Sequence, residues 1–305
     1  MGKNTINTFT PRHIPDLTKG EKIKISYSKI HLFHDCPRQY FYRYLTDLKI
    51  KPTIYPGNLI GQVFHNAMEQ TVKMKNENKS DQEIIISLKG RFEELYAKKV
   101  EENKSDYRVS RELSSKKDTF FKSHDRMMIQ IVKFVLSYFF QENVKIVSEQ
   151  SFDIVWDWDH DVIVTGVLDL QLQYDVNRIV DLKITKDSST YYFVNWVENI
   201  QDLMYEYYSW KTFGVLPASF SYLVFNREEG TLFFKEKKIV GNIEFESYFK
   251  YLHDEIQKLK AFILNPDMEL VNPSESKCRW CVYSNMCTFK YESENVRKFR
   301  KTLKR

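Results

Sequence analysis

Glycine is scarce in this chain, nine in 305 residues, and none of them forms a GxxxxGK[ST] loop. The phosphate cradle of an ATP-driven motor is therefore not encoded. HExxH and GxSxG are missing too, which removes the zincin-type metalloprotease and the nucleophile-elbow hydrolase. No run approaches the ~18 consecutive apolar residues of a membrane span. The opening MGKNTINTFTPRH lacks the apolar stretch of a secretory signal, and Ile6 stands where myristoylation after Gly2 needs Ser or Thr. These absences predict a soluble cytoplasmic protein with no membrane partner, and the richness in Lys, Asn and Ile suggests a bacterial or phage-infected cell.

What is present points to a large packed core. Aromatic residues make up 15% and apolar residues 42% of the chain. The net charge of +5 and a pI of about 8.7 are compatible with a nucleic-acid partner but do not require one. The densest basic stretch, Arg297, Lys298, Arg300, Lys301, Lys304 and Arg305, reads first as a solvated terminus and second as a non-specific phosphate contact.

Residues 1–25 read as polar and irregular. Ser26 or Ser28 caps a helix carrying Ile30, Phe33, Tyr40, Phe41 and Tyr44, which Pro37 breaks or restarts. After the loop Lys51–Gly57, helical spacing predicts helices over 58–74, 80–103 and 112–142. From Val144 the pattern turns to strands over 144–156, 161–174, 178–184 and 219–226, with helices over 193–213 and 243–264. Helices before and after the strands, with one crossover inside, predict a single α/β domain over 1–305 with a mixed sheet.

Four cysteines occur, and three of them read Cys278-x2-Cys281-x5-Cys287; Cys36 lies about 240 residues upstream. Four buried thiols are one reading. A metal site is the stronger one, because three thiols at ligand spacing in a reducing compartment disfavour two disulfides. Tetrahedral zinc and a [4Fe–4S] cluster both accept four thiolates, and the spacing does not choose between them. Either would staple the two ends of the chain.

The segment from Thr165 to Ile184 predicts a β-hairpin. Alternation puts Thr165, Val167, Asp169 and Gln171 on one face of the first strand, and Ile179, Asp181 and Lys183 on one face of the second. With a turn centred near Val176, Asp169 lies opposite Lys183 and diagonal to Asp181, about 5–8 Å away and within reach of one shared ion. Hard carboxylate oxygens suit Mg²⁺. An Asp–Lys ion pair on a solvated sheet face fits the same pattern. On the helix over 58–74, Gly61, His65 and Glu69 share one edge of the apolar stripe, Gly61 leaving room for another backbone to approach. On the helix over 193–213, whose buried side carries Trp196 and Val197, Gln201 and Tyr205 sit together. Each of these pairings taken singly also suits a structural role.

Taken in order, the motifs resemble the RecB-like branch of the PD-(D/E)XK nucleases, close to AddB-type nuclease domains and CRISPR-associated RecB-like exonucleases. The resemblance runs through Ser26-x-Ser28, Phe33-x-x-Cys36-Pro37, Tyr40, Tyr44-Leu45, Gly61-x3-His65-x3-Glu69, Gly166-Val-Leu-Asp169, Asp181-Leu-Lys183, Gln201-x3-Tyr205 and the three C-terminal cysteines. It departs at Asp181, where many members carry Glu, and over 76–142, which matches no family motif and reads as a helical insertion. Glu149 is similar to an acidic position in some relatives.

The resemblance implies a restriction-endonuclease-like core of mixed sheet and flanking helices. It implies Mg²⁺ or Mn²⁺ held by His65, Asp169, Asp181 and the Leu182 carbonyl, with Lys183 on the attacking water and the phosphate. Gln201 and Tyr205 would orient Lys183 or the DNA strand. A [4Fe–4S] cluster would sit on Cys36, Cys278, Cys281 and Cys287, within regions 26–45 and 270–290. The activity implied is DNA cleavage, exonucleolytic on single strands or linear ends, with a helicase, recombination or CRISPR-adaptation protein as candidate partner. The competing expectation is a catalytically silent Fe–S DNA-binding or scaffold subunit. Tyr107, Phe120 and Phe121 are candidates for base stacking, with core packing the plainer role, and the 76–142 helices for a roof over the site.

Overall fold

The computed structural model describes residues 14–48, 50, 53–105, 108–109, 117–140, 144–173, 177–188, 191, 199–239, 245–267, 278, 281–284 and 287. The basic tail, Tyr107, Trp196, Val197 and the hairpin turn 174–176 lie outside these. The chain divides into two compact units, one of Met1–Pro52, Val155–Thr165 and Lys250–Arg305, the other of Thr53–Ile154 and Gly166–Phe249. Among the described residues no helix is long and apolar enough to cross a membrane.

In the first unit, β1 (Ile23–Ser26) pairs in parallel with the opening of β5 (Asp159–Gln173), from Ile23↔Val162 to Ser26↔Thr165. This strand lies where the sequence suggested irregular chain; four residues are too few for a period-two pattern to stand out. Then α1 (Tyr27–Asp35) and α2 (Pro37–Tyr44) meet at Cys36, whose backbone is extended. Pro37 causes this break. It disfavours a helical conformation in the residue before it and suits the first turn of the helix after it. The two helices close on α8 (Phe245–Leu264) through Phe33 and Tyr40, whose rings lie 5.1 and 6.1 Å from that of Phe262. Lys260 ties the same helix to Asp159 and Asp161 at 2.7 and 3.1 Å, and His34 pairs with Glu255.

The second unit is built on a mixed sheet. The end of β5 runs antiparallel to β6 (Asn177–Thr185), β6 parallel to β7 (Ser219–Asn226), and β7 antiparallel to β8 (Thr231–Lys238). Strands β2 (Thr53–Ile54) and β3 (Arg108–Val109) pair in parallel as a separate ribbon, and β4 (Lys145–Trp156) precedes β5. On one face Leu170, Leu172, Val180, Leu182, Leu223 and Phe225 join a core with α3 (Pro56–Asn76), α4 (Asp81–Leu88), α5 (Phe92–Asn103) and α6 (Lys117–Tyr138). The helices expected as an insertion thus share this unit's main core. The stretch expected as one helix over 80–103 is two, because Gly90 adopts φ +81° between them. On the other face α7 (Ile200–Phe213) lies against Phe220 and Tyr222. β7 is buried along its whole length, as a strand covered on both faces must be. β8 was not foreseen: its lysines and glutamate mask an edge strand, a common guard against further pairing.

Two carboxylates here share one lysine. Lys237 of β8 lies 3.2 Å from Asp202 and 3.0 Å from Glu206, both fully buried on α7. Burial raises the pKa of both, Glu206 adding to the effect on Asp202 and Lys237 opposing it at each. Folded pKa values above the unfolded ones make each ionised carboxylate a destabilising group. Stability is therefore fullest below the ordinary carboxylate range and declines as pH rises toward the folded values. Glu206→Gln is expected to flatten that decline, so that the variant melts at or above wild type under mildly alkaline conditions. Melting temperatures across pH test this, and an equal loss at every pH would contradict it.

Candidate active site

Period-two alternation brings Asp169, Asp181 and Lys183 onto one face of the hairpin, and the ladder sets their register. Leu170 pairs with Val180 and Gln173 with Asn177. Continued one step, this sets Asp169 opposite Asp181 and diagonal to Lys183, two residues from the register expected. A shift of two leaves every side chain on its expected face.

Asp169 is the junction of the site. One carboxylate oxygen accepts from the Leu182 backbone N–H at 2.7 Å, and the other lies 3.2 Å from His65 Nδ1 on α3. The hairpin's other face is apolar core, which holds this geometry in place. Asp181 is 2% exposed. Gln201 Nε2 donates to its Oδ1 at 2.7 Å, and Lys183 Nζ stands 2.6 Å from its Oδ2 without hydrogen-bond alignment. The same Gln201 amide donates to the Tyr205 hydroxyl at 3.1 Å, and that hydroxyl donates to the Val167 carbonyl at 2.8 Å. Gln201 and Tyr205 thus clamp α7 to both hairpin strands. Gly166 makes the clamp possible, since a Cβ there would sit 2.7 Å from the Phe152 ring and 3.3 Å from Tyr205.

Glu149 completes the arrangement. Among the described residues, His65, Glu149 and Asp169 are the group of three whose ligand atoms all lie within 4.8 Å of one another. The expected set named Asp181 and the Leu182 carbonyl; Asp181 lies outside this group, and Leu182 meets Asp169 through its N–H. Glu149 carried little weight in the sequence because its approach depends on a kink. Its φ is +50°, a left-handed conformation that non-glycine residues seldom adopt inside a strand. Only its likeness to an acidic position in some relatives marked it.

The electrostatics call for a cation. Burial pushes Asp181 up to about 6, with Asp169 adding to the rise and Lys183 opposing it. Burial would lower His65, but the charge and hydrogen bond of Asp169, helped by Glu149, outweigh it and push the imidazole up to about 10. Lys183 is likewise depressed by burial and raised further by Asp181 and Asp169, the net shift being upward. The carboxylates of Glu149 and Asp169, converging on the His65 imidazole, fit a hard divalent ion such as Mg²⁺ or Mn²⁺.

Of these, His65, Glu149 and Lys183 line a cavity of about 1290 Å³ that also touches Gly61, Lys99, Phe120 and His124. A Cβ on Gly61 would meet nothing within 4 Å, so the glycine opens onto this cavity and not onto another backbone. Helices α5 and α6 supply one wall. Phe121 is core and Phe120 half-buried at the wall, so of the stacking candidates Phe120 faces the cavity.

The four cysteines belong to the first unit, and all are free thiols. Among the described residues no three of their sulfurs lie within 4.8 Å, so they do not form a metal-ligand group of the His65 kind. The thiols of Cys36, Cys287 and Cys278 nevertheless act electrostatically on Cys281, whose pKa burial raises to about 11. Arg38 Nη1 approaches Cys287 Sγ at 3.8 Å.

No curated protein matches the chain. Among solved structures, a crystal structure of SSO0001 aligns over 86% of this chain and 94% of its own, at 10% identity and a TM-score of 0.32, too weak a likeness to carry an argument. The family model of the PD-(D/E)XK nuclease superfamily matches residues 24–288, a span holding every residue of the site, and the chain belongs to that superfamily.

Proposed function

We propose that the chain is a divalent-metal-dependent DNA exonuclease of the RecB-like branch, acting on single strands or linear ends and carrying a [4Fe–4S] cluster. The observation that carries the nuclease reading is the convergence of His65, Glu149 and Asp169 beside the Asp181–Lys183 pair. His65, Glu149 and Asp169 would hold Mg²⁺ or Mn²⁺, with Asp181 behind them. When bound, the cation supplies Lewis-acid polarisation of the scissile phosphate and of the attacking water. Lys183, held protonated by Asp181, offers a fixed positive charge to the phosphate as its negative charge grows. Gln201 fixes Asp181, and Tyr205 fixes the hairpin that bears Asp169. The α5 and α6 wall on one side of the cavity, with Phe120 facing it, suits a single strand whose bases can stack.

The cluster part of the proposal rests on the four free thiols in one unit, three of which act electrostatically on Cys281. A single zinc ion, with Zn–S bonds of ~2.3 Å, would draw its thiolates much closer together. A cubane spreads its ligands over four irons and accepts wider spacing.

Timed digestion of 5′- and 3′-labelled linear DNA beside a closed circle tests the function. Linear single strands should disappear with Mg²⁺ or Mn²⁺ and persist with Ca²⁺, whose looser coordination places the water poorly. Rapid linearisation of the circle would replace the exonuclease reading with an endonuclease. Failure to cut any substrate would favour the silent scaffold.

Lys183→Ala should lower cleavage on the order of 100-fold or more, a loss expected when one charge-stabilising donor is removed. Metal affinity should persist, because Lys183 is not among the proposed ligands. Calorimetric titration beside the rate assay separates the two, and a Lys183→Ala protein that no longer binds metal would assign the lysine to site assembly.

A further inference from the structure

Arg227 stands directly beyond β7, where its backbone N–H donates to the Thr185 carbonyl at the end of β6. Its guanidinium extends over the first turn of α3. A Cβ on Gly57 would lie 2.7 Å from Nη2 and 2.9 Å from Nη1, so the missing side chain is what admits the group. Among the described residues no carboxylate forms an ion pair with this guanidinium, and its buried Nε has no hydrogen-bond partner. A half-buried guanidinium left this way is costly unless a ligand completes it. Its planar fork suits a phosphate better than any other common anion except a carboxylate.

Arg227 lines the same cavity as His65, Glu149 and Lys183. Gly57 and His65 are eight residues apart on one helix, about 12 Å along its axis. Between them, Gly61 leaves the helix flank open. A lone phosphate cannot reach both ends of this track, whereas a ligand with anions at regular intervals can.

We propose that Arg227 grips a backbone phosphate of the bound strand a few links from the scissile one, fixing which phosphodiester reaches the metal. The inference rests on the nuclease reading and adds to it a second point of attachment. The contact carries no base information, so it is independent of sequence and sensitive to salt.

The test uses fluorescent single-stranded oligonucleotides with Ca²⁺ in place of Mg²⁺, so that binding is read without cleavage. Arg227→Met is expected to weaken binding roughly tenfold and to reduce the slope of log affinity against log salt by about 0.7, one phosphate contact on a single strand. Arg227→Lys, which keeps the charge, should retain that slope. A series of oligonucleotides, each with one phosphate replaced by neutral methylphosphonate, should reveal one link away from the cut whose neutralisation weakens wild type and has no further effect on Arg227→Met. Unchanged binding by Arg227→Met, a loss shared equally by all links, or a lysine variant as weak as the methionine one would overturn the proposal. If wild type cuts DNA and these results appear, Arg227 alone has been misassigned. If wild type neither cuts nor binds DNA, the nuclease reading fails and Arg227 falls with it.

Discussion

Asp169→Asn is expected to remove cation binding and cleavage together, lowering the rate a thousandfold or more while the protein still folds. Asp169 joins α3 to β6, with one oxygen toward His65 and the other on the Leu182 N–H. Asparagine preserves the size and one acceptor but withdraws the charge that a divalent ion and His65 both use. Several kcal/mol of transition-state stabilisation depends on a bound metal, and each ~1.4 kcal/mol is a tenfold change in rate. Leu170, Leu172 and Val180 keep the hairpin packed, so the melting temperature should change little. Metal titration, single-turnover cleavage and melting of one preparation decide the matter. Near-wild-type cleavage by Asp169→Asn would place the active site elsewhere.

Cys36→Ser should be as damaging as Cys281→Ser, despite their distance in sequence. If both hold one cluster, losing either leaves three ligands and removes a crosslink spanning most of the chain. Such a crosslink is worth a few kcal/mol in chain-entropy terms, which corresponds to a fall in melting temperature on the order of 10 °C. Cys36 is placed for this role at the break between α1 and α2, and Tyr42 of α2 stacks near Tyr283, its ring 5.4 Å away. Iron content and melting of anaerobically purified variants give the answer. A Cys36→Ser protein with full iron and unchanged melting would exclude Cys36 from the cluster.

Local periodicity was enough to determine a good part of this molecule. Alternation along Val164–Ile184 assigned Asp169, Asp181 and Lys183 to one face, because side-chain direction in a strand depends only on parity. Helical spacing likewise put His65 on one edge of α3, and Gln201 with Tyr205 on α7. Pro37 announced the break at Cys36 from its own geometry. Residues 1–25, 76–142 and 227–242 were less legible. β1 is too short for a pattern, and β8 carries the charges of a sheet edge. The α4–α6 helices carry no motif, and only the fold shows Ile84, Phe92 and Val132 packed in one core with Leu170 and Leu182.

Three features belong to tertiary structure alone. The hairpin register followed a turn centre that no residue pattern located. Glu149 reaches His65 and Asp169 only through a left-handed kink, and glutamate does not advertise one. Arg227 and Gly57 are 170 residues apart in sequence, and it took the parallel pairing of β6 and β7 beside α3 to bring a bare helix turn under a guanidinium. Residue type and spacing report what a segment does to its own neighbours; which distant side chains share a cavity is decided only when the packed faces meet.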